Sequence, residues 1–137
     1  MTILLWLAVG LLAVWPLLNV ASKMSLRGSQ RLLGRALVVA ALVYVLFAAV
    51  WGNAYWVAVE AFGVVAYSAF YWLSARHSPL WLAFGWLVHP VWDVFLHLAG
   101  PGAHVAPGWY AVACMSFDVT VAVYIFVRVN RSESVAT

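Results

Sequence analysis

The chain has 137 residues, of which 67% are hydrophobic and 8% charged, and its mean hydropathy is +1.00. A soluble domain of this length cannot bury that much apolar surface, so the composition predicts an all-α integral membrane bundle. The formal charge of +3 does not argue for nucleic acid, because the basic residues flank apolar segments, where they set topology.

A spanning helix takes about 20 apolar residues. That leaves room for five spans in one domain, expected at about 2–21, 36–51, 54–74, 80–99 and 109–129. The first carries Pro16, lacks a basic leader and is followed by no small-residue cleavage site, so it reads as a retained helix. A polar stretch, SKMSLRGSQR, separates it from the second segment, which is apolar and aromatic. Gly52 and Asn53 form a turn into the third segment, which holds Glu60. The short loop ARHSP leads to the fourth, LWLAFGWLVHPVWDVFLHLA. A Gly- and Pro-rich loop with His104 precedes the fifth segment, which holds Asp118.

All seven basic residues (Lys23, Arg27, Arg31, Arg35, Arg76, Arg128 and Arg131) fall on one side of this arrangement. The positive-inside rule then places the N-terminus outside and the C-terminus in the cytoplasm of a multi-pass cell-membrane protein. The single cysteine, Cys114, excludes an internal disulfide and a cysteine zinc cluster.

The fourth segment carries the chemistry. His89, Asp93 and His97 recur every four residues and share one helical face. Ionisable groups cost several kcal/mol when they face lipid, so such a stripe is expected to face other helices. At 1.5 Å per residue, Glu60 and Asp93 both lie roughly 9 Å below the outer edge, and Asp118 roughly 13 Å. Three of the four acidic residues thus reach similar depths from three helices, with no Lys or Arg at that level. Neutral carboxyls suit acid catalysis, and Asp93, flanked by two histidines, is the foremost donor. Pro90 removes one helical hydrogen bond near Trp86 and favours a kink beside the stripe.

Aromatic residues make up 16% of the chain. Trp6, Trp51, Trp56, Trp72, Trp81 and Trp109 suit interfacial belts. Trp86, Trp92, Tyr67 and Phe117 are assigned to a cavity where aromatic faces stabilise a cation. Tyr110, Cys114 and Asp118 share one face of the fifth segment, and Tyr110 is placed to bond the outer carboxyls. Gly34 and Gly63 permit close helix approach, and an oligomer is compatible with the sequence.

The segment GWLVHPVWDVFLHLAG, the Gly/Pro loop, and the later Cys114, Phe117 and Asp118 resemble a family of uncharacterised bacterial membrane proteins of about this length. Their pattern is close to GWLxHxxWDxxHH followed by CxxFD; Leu96 stands here where the first histidine of the HH pair would be. That resemblance implies no activity. More loosely, the chain resembles small membrane terpene cyclases of bacterial indole-sesquiterpenoid pathways, which implies cyclisation of a farnesyl chain by membrane-buried acids.

The leading expectation is therefore an enzyme without a cofactor. It protonates a lipophilic, terpenoid-like substrate through Asp93, Glu60, Asp118, His89 or His97, with Trp86, Trp92, Tyr67, Phe117 and Tyr110 around the substrate. No aspartate-rich run is present to bind a diphosphate through magnesium. One alternative is a zinc or iron site built from His89, Asp93 and His97, with Glu60 or Asp118, in a membrane hydrolase or oxygenase. Those three residues span about 12 Å of helix at 1.5 Å per residue, so one ion is expected to take a pair of them. The other alternative is a proton-coupled transporter, because chains of Asp, Glu and His form proton relays.

Overall fold

The computed structural model describes residues 2–136 as five helices. They are α1 (Thr2–Ser22), α2 (Leu26–Trp51), α3 (Ala54–Arg76), α4 (Leu80–Trp92) and α5 (Gly108–Ala136). A π-helical segment, Asp93–Leu98, continues directly from α4. Among the described residues there is no strand. Thr2–Ser22, Leu26–Trp51, Ala54–Arg76 and Gly108–Ser132 are each long and apolar enough to cross a membrane. The outer faces are correspondingly apolar: Leu12 is 75% exposed and Phe95 70%.

Local chemistry sets the helix ends. Ser25 accepts a hydrogen bond from the Gly28 N–H at 3.1 Å and so starts α2. This places the helix start well before residue 36. The low hydropathy of that stretch comes from Arg27, Arg31 and Arg35, which recur every four residues on an exposed face. Ser29, Leu33 and Gly34 on the opposite side are buried. Asn53 caps α3 by accepting from the Trp56 N–H at 3.2 Å. Pro16 lies inside α1, which runs through it without a break.

Pairing follows from small residues and apolar stripes. α1 packs along α5, α2 along α3, and α4 against both α3 and α5. Gly10 makes the first of these contacts possible: a Cβ there would stand 2.1 Å from the Ala113 carbonyl oxygen. Gly34 plays the same part against the Tyr71 ring on α3, with a Cβ only 2.2 Å away. Gly63 has more room, 3.4 Å from the Trp92 ring. Leu33, Leu37, Tyr67, Leu82, Trp86 and Val121 fill the middle of the bundle.

The π segment is the main departure from regular geometry, and it begins three residues after Pro90. Proline cannot donate to the carbonyl of Trp86, which loosens the ladder there. The Ala99 N–H then bonds the Val94 carbonyl at 2.9 Å, an i→i+5 contact that widens the turn. Gly100 ends the segment, because a Cβ there would meet the Phe95 carbonyl oxygen at 1.8 Å. Such insertions recur at functional sites. Here the insertion spans Asp93 to His97.

Candidate functional site

Glu60, His89, Asp93, His97 and Asp118 are all buried, at 0–2% exposure, in the interior formed by α3, α4, the π segment and α5. The structure sorts them into two groups. In the first, His89 Nδ1 shares a hydrogen bond with Asp118 Oδ2 at 2.8 Å and lies 3.6 Å from Asp93 Oδ2. One ligand-type atom from each of His89, Asp93 and Asp118 falls within 4.8 Å of the others.

In the second group, His97 Nε2 stands 3.0 Å from Glu60 Oε1. His97 Nδ1 lies 3.1 Å from the Gly102 carbonyl oxygen. A carbonyl can only accept, so this bond assigns the Nδ1 proton. Nε2 and Glu60 Oε1 then face each other as an ion pair without the alignment of a hydrogen bond. Glu60 Oε2 accepts from Trp92 Nε1 at 3.3 Å. Trp92, assigned from sequence to a cavity wall, thus donates to a carboxylate here.

The stripe on the fourth segment divides because the wider π turn carries His97 toward α3, whereas His89 faces α5. A metal set of His89, Asp93 and His97 is not what the fold draws together; Asp118 takes the third place and His97 pairs with Glu60. Every ion pair among the described residues joins a histidine to a carboxylate, and none involves Lys or Arg. Both Asp93 carboxyl oxygens lack a hydrogen-bond partner, as do the buried hydroxyls of Tyr44 and Tyr67.

Aromatic rings enclose both groups. Tyr67 meets His89 edge-on at 5.0 Å, and Tyr44 stacks on His97 at 4.7 Å while meeting His89 edge-on at 5.7 Å. Tyr44 therefore bridges the two groups, a position its sequence context does not mark, since it lies on a wholly apolar stretch of α2. Trp56 is 6% exposed and packs between His97 and His104, so it covers the site instead of joining an interfacial belt. Tyr110 packs edge-on against Tyr44 and Phe47, and has no hydrogen bond to a carboxyl.

A groove of about 390 Å³ runs down the surface between α1, α2 and α5. Its walls include Val9, Ala13, Val39 and Val43, with Trp86 and Asp118 toward its floor. Phe117 and Tyr110 also line it, and Phe117 packs on Trp86 at 5.9 Å. Cys114, another lining residue, is half-buried. The apolar cleft and the buried ionisable network thus share the Asp118 wall.

No curated protein and no solved structure matches the chain. A family model matches residues 3–131, and the chain belongs to that family, DUF6010, a family of unknown function.

Proposed function

We propose that the protein is a membrane-embedded enzyme that isomerises or cyclises a lipophilic, terpenoid-like substrate by proton transfer. One observation carries the reading: a network of ionisable side chains from three helices, with no Lys or Arg partner, lies against the floor of an apolar groove. The groove's volume of about 390 Å³ falls in the range of small-molecule sites, roughly 300–1,000 Å³. It opens on the apolar outer face, so a substrate dissolved in the bilayer reaches it sideways.

In this reading five segments cross the membrane, α4 and the π segment together forming the fourth. The N-terminus lies outside and the C-terminus in the cytoplasm, in keeping with the one-sided Lys and Arg distribution. The chemistry begins with a proton placed on an alkene or epoxide. The proton held between Glu60 and His97 and the carboxyls of Asp93 and Asp118 are its sources. Trp86, Tyr67 and Phe117 shelter the cation, which a dry aromatic site stabilises by about 2 kcal/mol per ring. A second carboxylate or histidine removes a proton from a neighbouring carbon. Proton in and proton out leave the product an isomer of the substrate.

The test is incubation of membranes containing the protein with farnesylated aromatic compounds, followed by a search for products of unchanged mass. Loss of conversion in Asp93→Asn and Glu60→Gln supports the reading. Full conversion by both variants sinks it.

A further inference from the structure

We infer that His89, Asp93 and Asp118 hold a divalent transition-metal ion, and that Glu60 and His97 form a separate pair that keeps the proton. The first argument is geometric. Oxygen and nitrogen ligands bind zinc at about 2.0–2.2 Å, which spaces atoms on one ion roughly 3–4 Å apart. His89 Nδ1 lies 2.8 Å from Asp118 Oδ2 and 3.6 Å from Asp93 Oδ2, and the three donors fall within 4.8 Å of one another. Small side-chain shifts bring that set onto a common centre. The ion takes the place of the proton now held between His89 and Asp118.

The second argument is charge. Two carboxylates buried at 0% and 1% exposure face no Lys or Arg among the described residues. Buried charges are paired or coordinate metals, and one divalent cation balances two carboxylates. The third is the state of the surrounding polar atoms. Both Asp93 oxygens lack a hydrogen-bond partner although the residue is fully enclosed. The hydroxyls of Tyr44 and Tyr67 are also buried without partners, on rings packed against the His89 imidazole. A centre with unsatisfied oxygens on several sides suits an ion with further ligand positions to fill. One imidazole and two carboxylates suit zinc, iron(II) or manganese(II).

The His97–Glu60 pair stands apart from the centre by position: neither residue belongs to the cluster of donors within 4.8 Å, and the two face each other at 3.0 Å. The network therefore divides into an ion-holding half beside the groove and a proton-holding half beneath the outer loop, and with the ion bound Asp93 and Asp118 are ligands while the Glu60–His97 pair supplies the proton of the proposed isomerisation.

Elemental analysis of detergent-purified protein tests this without substrate, so it is independent of the proposed isomerisation. Near one equivalent of a first-row divalent metal is expected. Asp118→Asn and His89→Ala are expected to drop it below a tenth of an equivalent, while Glu60→Gln retains it. Chelator-treated wild-type protein titrated with Co2+ is expected to saturate at one equivalent with visible absorption, which guards against variants that fail to fold. Metal-free wild-type protein that binds neither Co2+ nor Zn2+ overturns the inference. So does metal retained in both Asp118→Asn and His89→Ala.

Discussion

His97 and Glu60 meet at 3.0 Å, and the opposite nitrogen of the same imidazole meets the Gly102 carbonyl at 3.1 Å. The loop after the π segment therefore dictates which nitrogen faces the carboxyl. A positioned acid or base contributes typically about 10²–10⁴-fold to rate. His97→Ala and Glu60→Gln are each expected to lower kcat on the isomerised substrate by roughly 10²-fold or more. Gly102→Ala keeps both groups but pushes a methyl to 2.8 Å from the Trp56 ring and 3.0 Å from His97 Nδ1. It is expected to lower kcat with KM little changed, as read in steady-state kinetics on reconstituted membranes.

Metal binding to the folded protein alone stabilises it by mass action, about 2.7 kcal/mol at a ligand concentration 100 times Kd. A chelator is accordingly expected to lower the Tm of wild-type protein in detergent, and Zn2+ to restore it. In Asp118→Asn neither addition is expected to move the Tm. A thermal scan by intrinsic tryptophan fluorescence measures both. An identical response of the two proteins would place the ion elsewhere.

Ala13 is exposed on α1 and lines the groove, away from the ionisable network. Ala13→Trp puts a large ring into the cleft and leaves the five polar side chains untouched. It is expected to raise KM for the lipophilic substrate by about tenfold, which corresponds to about 1.4 kcal/mol of lost binding. Metal content is expected to stay at the wild-type value.

The side of the membrane that faces the His104 loop is open to direct labelling. In a Cys114→Ala background, a cysteine at exposed Ala103 is expected to react with a membrane-impermeant maleimide on intact cells. A cysteine at exposed Ser25 is expected to react only after permeabilisation. The reverse pattern would invert the topology and place the site in the inner half of the membrane.

The sequence reveals the helices because hydropathy and length are properties of single segments. It reveals Glu60, His89, Asp93, His97 and Asp118 as a set because acids and imidazoles are conspicuous in apolar runs. What it conceals is pairing. The helical wheel puts His97 in line with Asp93, whereas the π turn sends it to Glu60, and i→i+5 geometry leaves no compositional trace beyond Pro90 and Gly100. Tyr44 is hidden for a different reason. Nothing along α2 separates it from Phe47, and only the packing of α2 on α3 and α4 brings its ring across to His97. The early start of α2 is hidden by averaging: Arg27, Arg31 and Arg35 lower the mean of a stretch whose other face is buried.

The π segment also gives the site a tolerance in chain counting. Phe95 is 70% exposed and touches none of the five ionisable groups through a hydrogen bond or ion pair. An i→i+5 turn holds one residue more than an α turn, so deleting Phe95 would let the ladder close in regular i→i+4 steps while His97 keeps nearly its place beside Glu60. The same deletion within a regular helix would turn every residue beyond it by about 100° around the axis. The outward-facing surface of the π segment is thus a stretch where the chain can lose a residue and leave the two halves of the interior joined.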